Sequence, residues 1–97
     1  MTNVSSKELL SFYNDNILII DVRSKEDYSK KHIPNSYNIP YDFLVNSCLL
    51  YLNKDKVYYI ICDNGYLSKK ASVYLDKKGF KTINVFDGLS SWRGPIS

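Results

Sequence analysis

The sequence predicts an α/β fold: a mainly parallel sheet with helices on both faces, giving three layers. Three observations predict it. Short, β-branched apolar runs recur at residues 17–20, 57–61 and 82–86. Segments with apolar residues at helical spacing lie between them, so strand and helix alternate, and that order favours parallel pairing through helical crossovers. Gly, Pro, Asn and Asp mark most junctions.

Each element has its own signal. Ser5-Ser6-Lys7-Glu8 is a capping-box pattern with Ser5 as N-cap, and Leu9, Leu10, Phe12 and Tyr13 give the helix that follows an apolar side. Asn14-Asp15-Asn16 ends it. The run ILII (17–20) is continuous and apolar, as expected of a strand buried on both faces. Ser24 opens a second small helix with Glu26 and Asp27 in its first turn, where acids suit the positive helix end. The turn at 32–35 leads to a short extended piece, YNIP (37–40). Residues 41–52 carry apolar side chains at helical spacing and predict one helix. VYYII (57–61) is the next buried strand. A helix pattern runs from Ser68 to Lys78, with Ala71, Val73, Tyr74 and Leu75 inward, and Gly79 stands where a helix end favours positive φ. TINVF (82–86) is a third strand, and residues 89–92 form a short last element.

Composition limits the function. Ninety-seven residues make a single domain, 1–97, and the initial Met and compact signatures lead us to expect a whole protein. Thirteen Lys+Arg against ten Asp+Glu give +3, too mild and scattered a balance for nucleic-acid binding. The apolar runs are too short to span a membrane, and the N-terminus lacks an apolar leader segment. Two cysteines, Cys48 and Cys62, suit a cytoplasmic protein with reduced thiols better than a disulfide scaffold. One histidine and two cysteines at these spacings make no usual zinc site, so neither metal nor cofactor is expected.

Cys62 carries the chemistry. It leaves a strand end and enters a tight loop, Asp63-Asn64-Gly65-Tyr66-Leu67, which feeds the helix from Ser68. In parallel sheets, ligands bind beyond the carboxyl ends of the strands. A loop this tight turns several N–H groups inward, and the helix adds its positive end. Gly65 lets the backbone curl around the sulfur. Together these effects favour a nucleophilic thiolate, or a sulfur that carries a second sulfur as an anionic persulfide. A lone cysteine after an apolar strand also reads as a small buried hydrophobe.

Two stretches resemble the signatures of rhodanese-like domains. Residues 19–40, IIDVRSKEDYSKKHIPNSYNIP, carry Asp-x-Arg after a strand, a short acidic helix and His-Ile-Pro. Residues 58–92 carry the strand, Cys-x-x-Gly, a helix, Gly-Phe, another strand, and a Gly four residues before Trp. The stretches cover about three fifths of the chain. The resemblance implies a five-stranded parallel sheet, Cys62 as the active-site residue, and sulfur transfer. A thiolate would take the outer sulfur of thiosulfate or another donor as a persulfide and pass it to cyanide, a thiol or an acceptor protein. Asp63, Asn64, Gly65, Tyr66, Leu67, Ser68 and Lys69 would bind substrate, and the protein is expected to be monomeric. The six-residue loop is the sulfurtransferase length. A phosphatase would need a longer loop ending in Arg, and Ser68 stands there instead.

The chain departs from the family pattern at four positions. Leu67 replaces a common Arg, Asp63 adds a negative charge beside the nucleophile, Asp87 replaces a Gly before the Trp, and Lys31 replaces the Gly before His32. Unit charges about 5 Å apart interact by about 3 kcal/mol at an effective dielectric near 20. An inward Asp63 would therefore oppose the thiolate and repel thiosulfate, whereas an outward one would be screened. Lys69 and Lys70 are expected to be the only nearby cations. Asp21 and Arg23 are expected as a structural ion pair on the rim, His32 as a turn-bonding residue, Trp92 as core, and Cys48 as a buried residue that could also resolve a Cys62 persulfide. The competing reading is a catalytically weak binding or regulatory module; redox sensing through Cys62 is a minor variant.

Overall fold

The computed structural model describes residues Met1–Ser97. Strand β1 (Thr2–Val4) leads into helix α1 (Ser6–Phe12). The capping box forms as the sequence predicts: the Glu8 N–H donates to Ser5 Oγ at 3.0 Å, and the Ser5 N–H donates to Glu8 Oε1 at 2.9 Å. Strand β2 (Leu18–Asp21), helix α2 (Lys25–Lys30) with Ser24 as N-cap, and the short β3 (Tyr37–Asn38) follow. Helices α3 (Tyr41–Asn46) and α4 (Cys48–Tyr51) precede β4 (Val57–Ile61). Helix α5 (Tyr66–Lys77), β5 (Lys81–Val85) and a 3₁₀ turn, Leu89–Ser91, complete the chain.

All strands pair in parallel, in the order β1-β5-β4-β2-β3. Alternation along the strands splits the core in two. Ile20 and Ile60 belong to a cluster with Leu44, Cys48, Leu52, Ala71 and Leu75 from α3, α4 and α5. Their neighbours Ile19 and Ile61 belong to another, with Leu9 of α1, Ile33, Val85, Leu89 and Trp92. The sheet is therefore packed on both faces, and β2, β4 and β5 direct their carboxyl ends to one rim, where Asp21, Cys62 and Phe86 lie.

Four expectations about elements change. β1 is an additional strand: three residues are too few to show a pattern, and pairing with β5 makes it one. The helix expected over 41–52 breaks at Ser47, whose φ of −135° and ψ of 32° are not helical. Asn46 and Ser47 are poor helix formers, and the break turns Cys48 and Leu52 inward. α5 starts at Tyr66, not Ser68. Val73 and Tyr74 are exposed, while Ser68 and Ser72 are buried with Ala71 and Leu75. At 3.6 residues per turn, 68, 71, 72 and 75 share one stripe, and Val73 lies on the far side from Ala71.

Candidate active site

The last residue of β4, Ile61, places Cys62 at the central strand's carboxyl end, between β2 and β5. The loop 62–67 is braced from beneath. The Leu89 N–H donates to the Cys62 carbonyl at 2.8 Å, and the Ser90 N–H to the Asp63 carbonyl at 3.0 Å. A trans peptide directs its N–H opposite to its C=O, so the N–H groups of Asp63 and Asn64 face away from the 3₁₀ turn. No protein atom accepts a hydrogen bond from either. Gly65 has φ +90°, and a Cβ there would lie 1.8 Å from the Phe86 carbonyl oxygen, so only glycine lets the loop rest on the β5 end.

Two groups converge on the sulfur, and both belong to Ser68. Its N–H donates to Cys62 Sγ at 3.3 Å, and its hydroxyl lies 3.4 Å from Sγ. The several amides expected around the sulfur thus reduce to one amide and one hydroxyl, at the head of α5. Cys62 is 3% exposed and packs in the apolar cluster beneath α5. Cys62 lines none of the five main surface clefts, of about 260 to 450 Å³.

The other loop residues divide by orientation. Asn64 is exposed, and its Oδ1 accepts from the Tyr66 N–H at 3.0 Å, which shapes the entry to the helix. Tyr66 is largely exposed. Leu67 packs against the core cluster, so no cation replaces the missing Arg at that position. Lys69 and Tyr66 border a cleft along α5.

Asp63 points outward, with its side chain 64% exposed. Its Oδ1 lies 3.5 Å from Arg23 Nη1. The expectation that Lys69 and Lys70 are the only nearby cations is therefore wrong. Arg23 follows β2, whose C-terminal residue pairs with Ile61, the residue before Cys62, and that register brings a distant segment to the loop.

Arg23 is 6% exposed and Asp21 is 1% exposed. Asp21 Oδ1 accepts from the Arg23 main-chain N–H and from Nε, both at 3.0 Å, and Oδ2 accepts from Nη2 at 2.8 Å. Nη2 also donates to the Lys31 carbonyl at 2.7 Å. Burial alone would lower the Arg23 pKa, but the hydrogen bond and charge of Asp21, with the charges of Asp63 and Asp27, hold it above its ordinary value. The guanidinium stays charged and ties the β2 end to the Cys62 loop.

Asp87 has a role the sequence did not reveal. Its Oδ1 accepts from the Ser6 N–H at 2.8 Å and from Ser6 Oγ at 2.7 Å, capping α1 from the far end of the chain. Ser6 Oγ also contacts the Gly88 carbonyl, beside the turn that braces the loop. His32 Nδ1 lies 2.7 Å from the Tyr28 carbonyl, and its ring stacks on Tyr28. Trp92 is buried, and its indole N–H donates to the Pro95 carbonyl at 2.9 Å. Cys48 and Cys62 are both free thiols. No group of three or more His, Cys, Asp or Glu side chains is placed to hold a metal, and no helix is long and apolar enough to cross a membrane.

Comparison with known proteins gives one answer. The rhodanese-like domain profile matches residues 5–94. YtwF of Bacillus subtilis, whose name places it provisionally among the sulfurtransferases, is 36% identical over 81 residues, or 84% of this chain and 78% of that protein. YrkF of the same organism, provisionally named a sulfur carrier protein, is 39% identical over 84% of this chain, which spans only 44% of YrkF. A tRNA sulfurtransferase of Aeromonas hydrophila is 31% identical over 86% of the chain, which spans 18% of that enzyme. The crystal structure of a rhodanese-like domain protein from Staphylococcus aureus superposes with a TM-score of 0.86 at 33% identity, covering 95% of this chain and 91% of that one. A rhodanese-related protein from Thermoplasma volcanium gives 0.91 at 27% identity, covering 100% and 98%. The profile match across nearly the whole length, with these relatives and this sheet, makes the chain a member of the rhodanese-like domain family.

Proposed function

We propose that the protein is a sulfurtransferase that carries sulfane sulfur on Cys62. The observation that carries this reading is the pair of Ser68 contacts on Sγ at the head of α5. The Ser68 N–H and hydroxyl, at the positive end of α5, are donors within reach of a reacting sulfur. The thiolate attacks the outer sulfur of thiosulfate, the new S–S bond forms, and sulfite leaves with the electron pair of the broken bond. A thiol donor persulfide reacts likewise and leaves as its thiolate. Attack on the outer sulfur by an acceptor thiolate or cyanide then restores the Cys62 thiolate. The N–H groups of Asp63 and Asn64, unclaimed by the protein, are available to the anionic outer sulfur.

Donor preference follows from Leu67. A leucine turned inward stands in place of a guanidinium, which disfavours dianionic thiosulfate relative to a singly charged persulfide. Asp63 points to solvent and faces Arg23, so its charge is screened. The free Cys48 and Cys62 thiols suit a reducing cytoplasm.

The test is intact-mass spectrometry of wild type and Cys62→Ser after exposure to thiosulfate and, separately, to a small-molecule persulfide. Wild type gains one sulfur, faster from the persulfide, and the variant gains none. Wild type that gains no sulfur from any donor sinks the proposal. The burial of Cys62 favours a second reading, a binding module that retains the fold without turnover. That reading predicts partner capture indifferent to Cys62→Ser.

A further inference from the structure

The cleft beside the Cys62 loop has a chemical character that sulfur loading does not use. About 440 Å³ in volume, it is lined by Tyr41, Tyr66, Lys69, Lys70, Val73, Tyr74 and Lys77. It begins at Tyr66, four residues after Cys62, and runs along the outer face of α5. Three lysines and no carboxylate line it. Of the acids near it in sequence, Asp76 accepts from Thr82 Oγ1 at 2.7 Å, Asp63 is paired to Arg23, and the exposed Asp42, next to Tyr41, does not line the cleft. Its floor is apolar, with the exposed Val73 between tyrosine rings.

The geometry points to an acidic, extended peptide segment of a protein sulfur acceptor as the occupant of this cleft. The inference rests on the sulfurtransferase reading, which requires an acceptor brought to the Cys62 loop. Charge complementarity selects an anionic partner. At 1.5 Å per residue, Lys77 lies about 11 Å along the helix from the Lys69–Lys70 pair, which matches about three residues of extended chain. The recognised segment therefore carries acidic residues about three apart, with apolar side chains between them against Val73.

The aromatic rings argue against RNA. Single-stranded RNA is gripped by stacking its bases on free aromatic faces. Here the Lys70 ammonium sits over Tyr41 at 5.3 Å and over Tyr66 at 5.7 Å, and Lys78 covers Tyr74 at 5.5 Å. One face of each tyrosine is thus taken by the protein's own cations. Three lysines in a short cleft also fall short of the long basic track that a phosphate backbone follows.

The test uses full-length Cys62→Ser protein, which cannot load sulfur, so binding is read independently of transfer. Fluorescence anisotropy follows a labelled synthetic peptide with Asp or Glu about three residues apart. Its isosteric Asn/Gln version and a single-stranded RNA oligomer of equal charge are controls. We expect saturable binding that weakens with salt and loses at least about tenfold in affinity in Lys70→Glu/Lys77→Glu. Equal binding of the Asn/Gln peptide, tighter binding of the RNA, no saturable binding at low salt, or indifference to both Lys70→Glu and Lys77→Glu overturns the inference. Sulfur loading of wild type would still stand in each case, and failure of loading with intact peptide binding would instead overturn the enzyme reading.

Discussion

Replacing Arg23 by Gln removes a guanidinium from a carboxylate that has almost no access to water. Asp21 keeps only the Arg23 main-chain N–H and loses its Nε and Nη2 donors. Breaking one partner of a buried pair costs about 3–5 kcal/mol, because the remaining charge stays desolvated and unpaired. Small domains have about 5–15 kcal/mol of stability in all. For a domain of this size, the loss lowers the melting midpoint by about 15–25 °C. The double variant Asp21→Asn/Arg23→Gln removes both charges, and neutral amides can bond each other. It should cost about 1–2 kcal/mol, so the coupling between the sites exceeds about 2 kcal/mol. Urea unfolding read by the single, buried Trp92 measures the wild type, Arg23→Gln, Asp21→Asn and the double variant. If Arg23→Gln loses less than about 1 kcal/mol, or the double variant costs the sum of the singles, the pair is not the rim's main tie.

Three further outcomes test the site and its frame. Ser68→Ala removes the hydroxyl near Sγ but keeps the N–H; iodoacetamide alkylation of Cys62 at neutral pH should slow by about tenfold with circular dichroism unchanged, and an unaltered rate would show that the hydroxyl does not act on the thiolate. Gly65→Ala forces a Cβ onto the Phe86 carbonyl at positive φ, so it should cost at least about 3 kcal/mol by urea unfolding, and near-wild-type stability would show that the loop is not pinned there. Burial, then the charge of Asp15, raises the Tyr13 pKa from its ordinary 10.0. A raised folded value means the Tyr13 contribution is complete below pH 10.0 and disappears as pH rises through the folded value. The phenol donates to the Pro34 carbonyl, a bond the phenolate cannot make. Tyr13→Phe should therefore flatten the alkaline fall in stability, and parallel curves for the two proteins would refute this assignment.

The parts legible in the sequence were those fixed by local chemistry. The box of Ser5 and Glu8, the apolar runs of β2, β4 and β5, and the loop leading into α5 each follow from neighbours in the chain. What escaped was set by distance. β1 is a strand only because β5 lies beside it. Arg23 meets Asp63, and Asp87 meets Ser6, across 40 and 81 positions. The inward stripe of α5 misled because Ser68 and Ser72 are polar, while Val73 and Tyr74 are apolar yet exposed. Ser68 faces inward toward the sulfur, a pairing that no hydropathy pattern predicts. The number of amides on Sγ was overestimated because a tight loop shows how many N–H groups it contains, not which way each peptide turns.

The two N–H donors under the loop have a consequence for how the protein is made. Leu89 and Ser90 hold the Cys62 and Asp63 carbonyls, yet they leave the ribosome nearly thirty residues after the cysteine. During synthesis, the thiol thus spends its first moments as an ordinary cysteine on a loose segment. Only when β5 has docked and the 3₁₀ turn has closed does the sulfur acquire its setting.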